Sequence, residues 1–414
     1  MTMNIKGSFH SVLPAFFIAL FVACAGQLAA RQTDSARTDG MHWVGTWAAS
    51  AQKVEAKLMP PSLPELGNVT IRQIVRVSIG GKQMRVRFSN AFAKAGNDLR
   101  ITAATVAVSN GSHKIKANTL KPLAFQGRSS VAIPAGKLMI SDPLDFDLAP
   151  GADLTVTIHV EKHVNEVTGH RSARCKSFFQ TGDAVAAPSL KSSVNTNTWF
   201  YLSGVDVSAN ENAAAIVCLG DSITDGRGST EDENRRWPDF LARRLLANPE
   251  TAHIGVLNQG IGGNTVCRGG KGEPALKRFE RDVLLQTGVR WVIVLEGIND
   301  LGGGKTDADE IIAAYRRFIA LAHKRGMRVF GGTILPCGGS FYAKKPQLEA
   351  RRQRINDWIR TSGEFDAVID FDATVRDPKN PDRMLKAADC GDHLHPGDKG
   401  YRMMADSIDL SLFK

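Results

Sequence analysis

From Ala213 onward, short and almost wholly apolar runs alternate with segments of helical periodicity, and few architectures accept that pattern. The runs are "AAIVCLG", "IGVLNQG", "RWVIVLEG", "MRVFGGTIL" and "DAVIDF". A strand that is apolar on both faces must be covered on both faces. Between the runs lie "WPDFLARRLL", "DADEIIAAYRRFIALAHKRG" and "PQLEARRQRINDWIRTSG", and "GDKGYRMMADSIDLSL" follows the last. In the second of these segments Ile311, Ile312, Tyr315, Phe318, Ile319 and Ala322 form one apolar stripe, the i, i+3/i+4 pattern of a helix lying on a core. Gly326 and Gly363 stand where helices stop. Strand–helix alternation of this length predicts a parallel sheet with helices on both faces, whose ligands sit beyond the carboxyl ends of the strands.

The upstream half has another texture. Between about Val69 and Val160, runs such as "QMRVRFSN", "ITAATVAVS" and "DLTVTIHV" alternate with period two and are broken by Gly, Asn, Asp and Pro. With no helical pattern between them they predict an antiparallel, sandwich-like all-β domain over residues 42–208, to which "TWFYLSGVDV" returns as a further strand. The α/β domain then spans 213–414. A chain of 414 residues holds two such cores comfortably.

Residues 1–30 read as an export signal: Lys6 precedes the apolar stretch Val12 to Gly26, and small residues offer cleavage after Ala25 or near Ala30. Lipoprotein processing at Cys24 is the rival reading. A secreted or periplasmic location permits disulfides. Cys337 and Cys390 fall at the same end of the expected sheet, so a Cys337–Cys390 bond pinning the loop before the last helix is expected. The net charge of +10 is scattered rather than gathered into a stripe, which argues against a nucleic-acid partner. No CxxC pair or HExxH motif suggests a metal.

Ser222 lies in "GDSITDG", within three residues of the end of the first apolar run. A serine hydroxyl is a weak nucleophile until a base takes its proton, and the base needs a third group to hold its tautomer. "CGDHLHPGDKGY" offers both: Asp392 and His395 are three apart in a Gly/Pro-bounded loop, with His393 as a competitor whose side chain should diverge from its neighbour Asp392. Acyl transfer also needs donors for the developing oxyanion. "NQGIGGNT" offers open backbone N–H groups and "EGIND" the Asn299 amide. "NDLGGGKT" only mimics a phosphate loop, since Asn299 stands where its first glycine belongs.

Ser222 in "GDSITDG", Gly263 in "GIGGNT", Asn299 in "GIND" and the Asp392/His395 pair, taken in this order, resemble the four motif blocks of the SGNH hydrolases, the GDSL family of esterases and lipases. The resemblance covers roughly Ala213 to Lys414. It implies a flavodoxin-like three-layer α/β/α fold with a five-stranded parallel sheet. It also implies Ser222 as nucleophile, His395 as general base and Asp392 as its orienter. The N–H groups of Ser222 and Gly263, with the Asn299 side chain, become the oxyanion hole. "HWVGTWAAS", "RQIVRVSIGG", "RVRFSNAF" and "TWFYLSGVDV" resemble the N-terminal β-domain of a secreted bacterial subgroup of that family.

The expected activity is hydrolysis of short-chain acyl esters, O-acetyl groups on carbohydrate foremost, with no metal or organic cofactor. Export, the attached β-domain and the lack of a long apolar lid segment motivate that choice. Within the same class the alternative is a lipase or phospholipid acylhydrolase. Outside it, the alternative is a catalytically inactive SGNH fold that binds carbohydrate. The expected partners are small-molecule or polysaccharide esters, with no nucleic acid and no stable membrane insertion after processing unless Cys24 carries a lipid. Trp43, Trp47 and Trp199 are read as core rather than as sugar-stacking platforms.

Overall fold

A computed structural model describes residues 40–414, apart from 62, 64, 192, 193, 305 and 346. The expected export signal and the Cys24 site lie outside the described residues.

The apolar runs form a parallel sheet. Its strands are β1 (Ala214–Gly220), β2 (Ile254–Gly260), β3 (Val289–Leu295), β4 (Arg328–Gly332) and β5 (Ala367–Ile369), in the order β2-β1-β3-β4-β5. Every residue of β1 is buried, as its composition requires for an interior strand flanked by β2 and β3. The order reverses direction at β1, so right-handed crossovers send the following helices to opposite faces. The fold is thus the flavodoxin-like three-layer arrangement, and its switch point lies at the end of β1.

Among the described residues eight α-helices accompany these strands. They are α1 (Ser222–Asp225), α2 (Trp237–Ala247), α3 (Ala275–Phe279), α4 (Ile298–Gly303), α5 (Ala308–His323), α6 (Leu348–Thr361), α7 (Phe371–Val375) and α8 (Asp398–Asp406). The stripe Ile311, Ile312, Tyr315, Phe318, Ile319 and Ala322 is buried, and Asp307 and Glu310 close a capping box at the start of α5. Gly326 and Gly363 end their helices with φ of 71° and 68°. One feature escaped the periodicity: α3 continues into a single π turn, Glu280–Leu284.

Upstream the chain is all antiparallel. One sheet is built on Met41–Ala48, Leu202–Asn210 and Gly81–Ser89. A second is built on Val69–Arg76, Asp153–Val160 and Leu99–Val108. A small third sheet pairs Thr168–Arg171 with Gln52–Lys53 on one side and Thr198–Phe200 on the other. Trp47 and Trp199 are buried and meet edge to face with ring centroids 4.9 Å apart.

Gly40–Lys414 is one compact unit, so the change near residue 210 is a change of architecture rather than a gap in packing. Strand Met41–Ala48 lies against β2, the edge of the parallel sheet. A Cβ at Gly255 of β2 would sit 2.3 Å from the carbonyl oxygen of Gly45, so the two backbones approach this closely only because glycine stands there. The outward N–H of Val256 donates to Ser78 Oγ (2.9 Å), which satisfies a ladder position that an edge strand would otherwise leave to water.

Candidate active site

β1 ends at Gly220, where a Cβ would sit 2.5 Å from the carbonyl oxygen of Leu295. Asp221 follows as the cap of α1 and accepts the Ile223 N–H (2.9 Å). Because Asp221 does the capping, Ser222 is released from it. α1 is only four residues long and ends at Gly226 (φ 96°), whose N–H returns to the Ser222 carbonyl (2.9 Å).

The released hydroxyl meets the loop before α8. Ser222 Oγ lies 2.8 Å from His395 Nε2, and His395 Nδ1 lies 2.7 Å from Asp392 Oδ2. A carboxylate accepts, so Nδ1 carries the hydrogen and Nε2 presents its lone pair to the serine. Asp392 Oδ1 also accepts the N–H groups of Leu394 (3.0 Å) and His395 (2.9 Å), which fixes the turn. His393, at φ 61°, is exposed and pairs with Asp389 instead (2.6 Å).

Burial lowers His395 below the ordinary imidazole value, and the Asp392 hydrogen bond offsets this only in part. For Asp392 burial alone would raise the carboxyl. The His395 side chain and backbone N–H outweigh it and hold the group at about 2. At neutral pH the pair is a neutral imidazole beside an ionised carboxylate.

The loop after β2 folds back onto α1. Ile261 N donates to Gly220 O (3.0 Å), and Gly262 N to Asp225 Oδ2 (3.0 Å). Gly263 has φ 76°, and among the described residues its N–H has no protein acceptor. Asn299, at the start of α4, donates one amide hydrogen to Asn264 O (2.7 Å) and accepts from Tyr342 Oη (2.9 Å). Among the described residues its second amide hydrogen has no protein acceptor. Ser222, His395 and Asp392 are therefore joined directly, and Gly263 and Asn299 are joined to the same turn through Gly262 and Asn264.

Several residues of this assembly were not singled out in the sequence. Asp300 accepts from Val266 N (2.7 Å) and Cys267 N (3.0 Å), and burial pushes it up to about 6. Its neighbour Asn299 in "GIND" was a usable signal. Arg278 is fully buried. It donates to Gly220 O (3.0 Å), Gln259 O (2.7 Å) and Asn264 Oδ1 (2.9 Å), so one guanidinium ties the ends of β1 and β2 to the glycine loop. Burial raises Asp221 to about 7 and Glu296 well above the usual carboxylate range, although Arg278 lies nearby. Tyr342 sits in a loop without periodicity, and nothing in its sequence marks it.

The expected Cys337–Cys390 disulfide does not form: Cys175, Cys218, Cys267, Cys337 and Cys390 are all free. Sharing one end of the sheet did not make the two thiols face each other. Cys337 is buried, whereas Cys390 is exposed with its sulfur against the turn at Gly228.

Residues 218–403 match the model of the GDSL-like Lipase/Acylhydrolase family. No curated protein matches the chain. Among solved structures, the chain is similar to a member of the lipolytic protein G-D-S-L family from Veillonella parvula at 22% identity, with 47% of this chain and 96% of that chain covered and a TM-score of 0.37. It is also similar to Axe2, an acetylxylan esterase from Geobacillus stearothermophilus, at 23% identity, with 47% and 91% covered and a TM-score of 0.36.

Proposed function

We propose, for a chain whose residues 218–403 belong to the GDSL-like lipase/acylhydrolase family, that it is an exported serine esterase acting on short-chain acyl esters, O-acetyl groups on carbohydrate above all. In this reading Ser222 Oγ attacks the ester carbonyl while His395 Nε2 takes its proton. The oxyanion is received by the N–H groups of Ser222 and Gly263 and by the free amide hydrogen of Asn299. Collapse expels the alcohol, which leaves with the proton from His395. Water then attacks the acyl-Ser222 ester by the same route and releases the acid. Asp392 holds the Nδ1–H and stabilises the imidazolium that forms in each half-reaction.

The observation that carries the reading is the continuous relay of 2.8 and 2.7 Å from Ser222 through His395 to Asp392. The choice of a short acyl group on a polar carrier rests on the surroundings. The Lys271 stem lies over Gly263 with its ammonium 3.6 Å from Glu55, and the exposed Arg227 lies 3.7 Å from Asp392. Such a mouth suits a sugar ester better than a long acyl chain. Export belongs to the proposal through the N-terminal segment. Among the described residues no helix is long and apolar enough to cross a membrane.

The test is a p-nitrophenyl ester series from acetyl to long acyl, run beside acetylated polysaccharides and repeated with Ser222→Ala. Turnover should be highest with acetyl, release acetate from the polysaccharide, and vanish in the folded variant. A maximum at long chains would favour the lipase reading, and no wild-type turnover at any length would leave the carbohydrate-binding alternative.

A further inference from the structure

The β-rich region reaches the glycine loop through strand Thr168–Arg171 of the small third sheet. Arg171 Nη2 donates to Gly262 O (2.6 Å), while Nη1 is held by Glu55 Oε1 (3.0 Å). The Gly262 carbonyl and the Gly263 N–H belong to one peptide unit. That unit is planar and trans, so a group that fixes the carbonyl fixes the direction of the N–H. A cationic donor on the carbonyl also polarises the peptide and makes its N–H a stronger donor.

The preceding peptide is held as well. The Gly262 N–H donates to Asp225 Oδ2 (3.0 Å), and Asp225 Oδ1 faces His170 Nε2 (3.0 Å). His170 Nδ1 faces the Ser50 carbonyl (2.9 Å), and its ring lies against Trp199, with centroids 5.7 Å apart. His170 and Asp225 are both buried. Gly262 is therefore clamped at its N–H and at its C=O, and both clamps end in the β-rich region. Asp225 sits three residues after Ser222 in the same turn, so the clamps also set the spacing between nucleophile and glycine loop.

We propose that the β-rich region completes the oxyanion hole: Arg171 and His170 are positioning residues that aim the Gly263 N–H at the reacting carbonyl. This rests on the esterase reading above. Neither residue touches the substrate. A displaced donor weakens transition-state binding without weakening ground-state binding, so the signature is a fall in kcat at constant KM.

The experiment uses the full chain with p-nitrophenyl acetate and an alkylboronic acid, which forms a tetrahedral adduct on an active-site serine. Arg171→Ala should lower kcat about 10- to 100-fold, up to the cost of a donor displaced by about an ångström and below that of a donor removed outright. KM should stay unchanged and boronate affinity should fall in parallel with kcat. Arg171→Lys keeps a cation but not the two-armed grip, and should recover part of the loss. Glu55 is partly exposed, so Glu55→Gln tests the same grip if Arg171→Ala does not fold, and should give a smaller loss of the same kind. Unchanged kcat in folded Arg171→Ala or Glu55→Gln, or a rise in KM alone, would overturn the inference. A wild-type protein without turnover would instead overturn the esterase reading, so the two failures are distinct.

Discussion

Tyr342→Phe tests whether the Asn299 amide is a held oxyanion donor. The substitution keeps the ring, which packs against Gly302 and Phe341, and removes only the hydroxyl that donates to Asn299 Oδ1 at 2.9 Å. The amide remains anchored at its other end by the 2.7 Å bond from Nδ2 to Asn264 O. Losing one neutral hydrogen bond costs about 0.5–1.5 kcal/mol, so kcat should fall about two- to twelvefold. Asn299→Ala removes the donor outright and should cost about 10²–10³ in kcat. Tyr342 acts only through Asn299, so the double variant should be no slower than Asn299→Ala alone. The assay is initial-rate hydrolysis of p-nitrophenyl acetate by the wild type, the two single variants and the double variant. A double variant slowed by the product of the single effects would refute the reasoning, because Tyr342 would then act on the reaction by another route.

The kcat/KM profile should lose activity as pH falls through a midpoint below 6.5, since the proposed mechanism uses His395 as a neutral base and burial lowers its value in the fold; a midpoint above 6.5 would contradict this. Asp221→Asn should raise the thermal midpoint at pH 8. The fold keeps a proton on Asp221 up to about 7 that the unfolded chain gives up near 3.8, so wild-type stability falls as pH rises between those values; the variant's advantage should disappear by about pH 4. Alkylation of denatured, unreduced protein should modify both Cys337 and Cys390, and recovery of a peptide pair linked through them would restore the disulfide.

The parallel sheet was legible because its strands are apolar on both faces, as β1 is throughout, and its helices because the α5 stripe repeats at helical spacing. Ser222, Asp392 and His395 were legible because each stands at a strand end or before the last helix in a chemically matched set. Period-two alternation says which face of a strand is buried but not which strand it joins. Asp153–Val160 pairs with both Val69–Arg76 and Leu99–Val108, and such non-local partners leave no mark in either segment. The sequence run "TWFYLSGVDV" became two strands because Tyr201 adopts φ 60° between them. Arg171 and His170 were invisible for the same reason: their partners at Gly262 and Asp225 are 91 and 55 residues away. The disulfide expectation failed because position along the sheet axis does not set the direction of a side chain.

In the proposed mechanism Ser222 becomes covalently acylated with His395 as its base. The most direct measurement is peptide mapping by mass spectrometry after reaction with an alkyl fluorophosphonate, which forms a stable adduct with an activated serine. A single adduct should form on Ser222, and far more slowly in His395→Ala. An adduct on another residue, or an unlabelled Ser222 in protein that still hydrolyses p-nitrophenyl acetate, would contradict it.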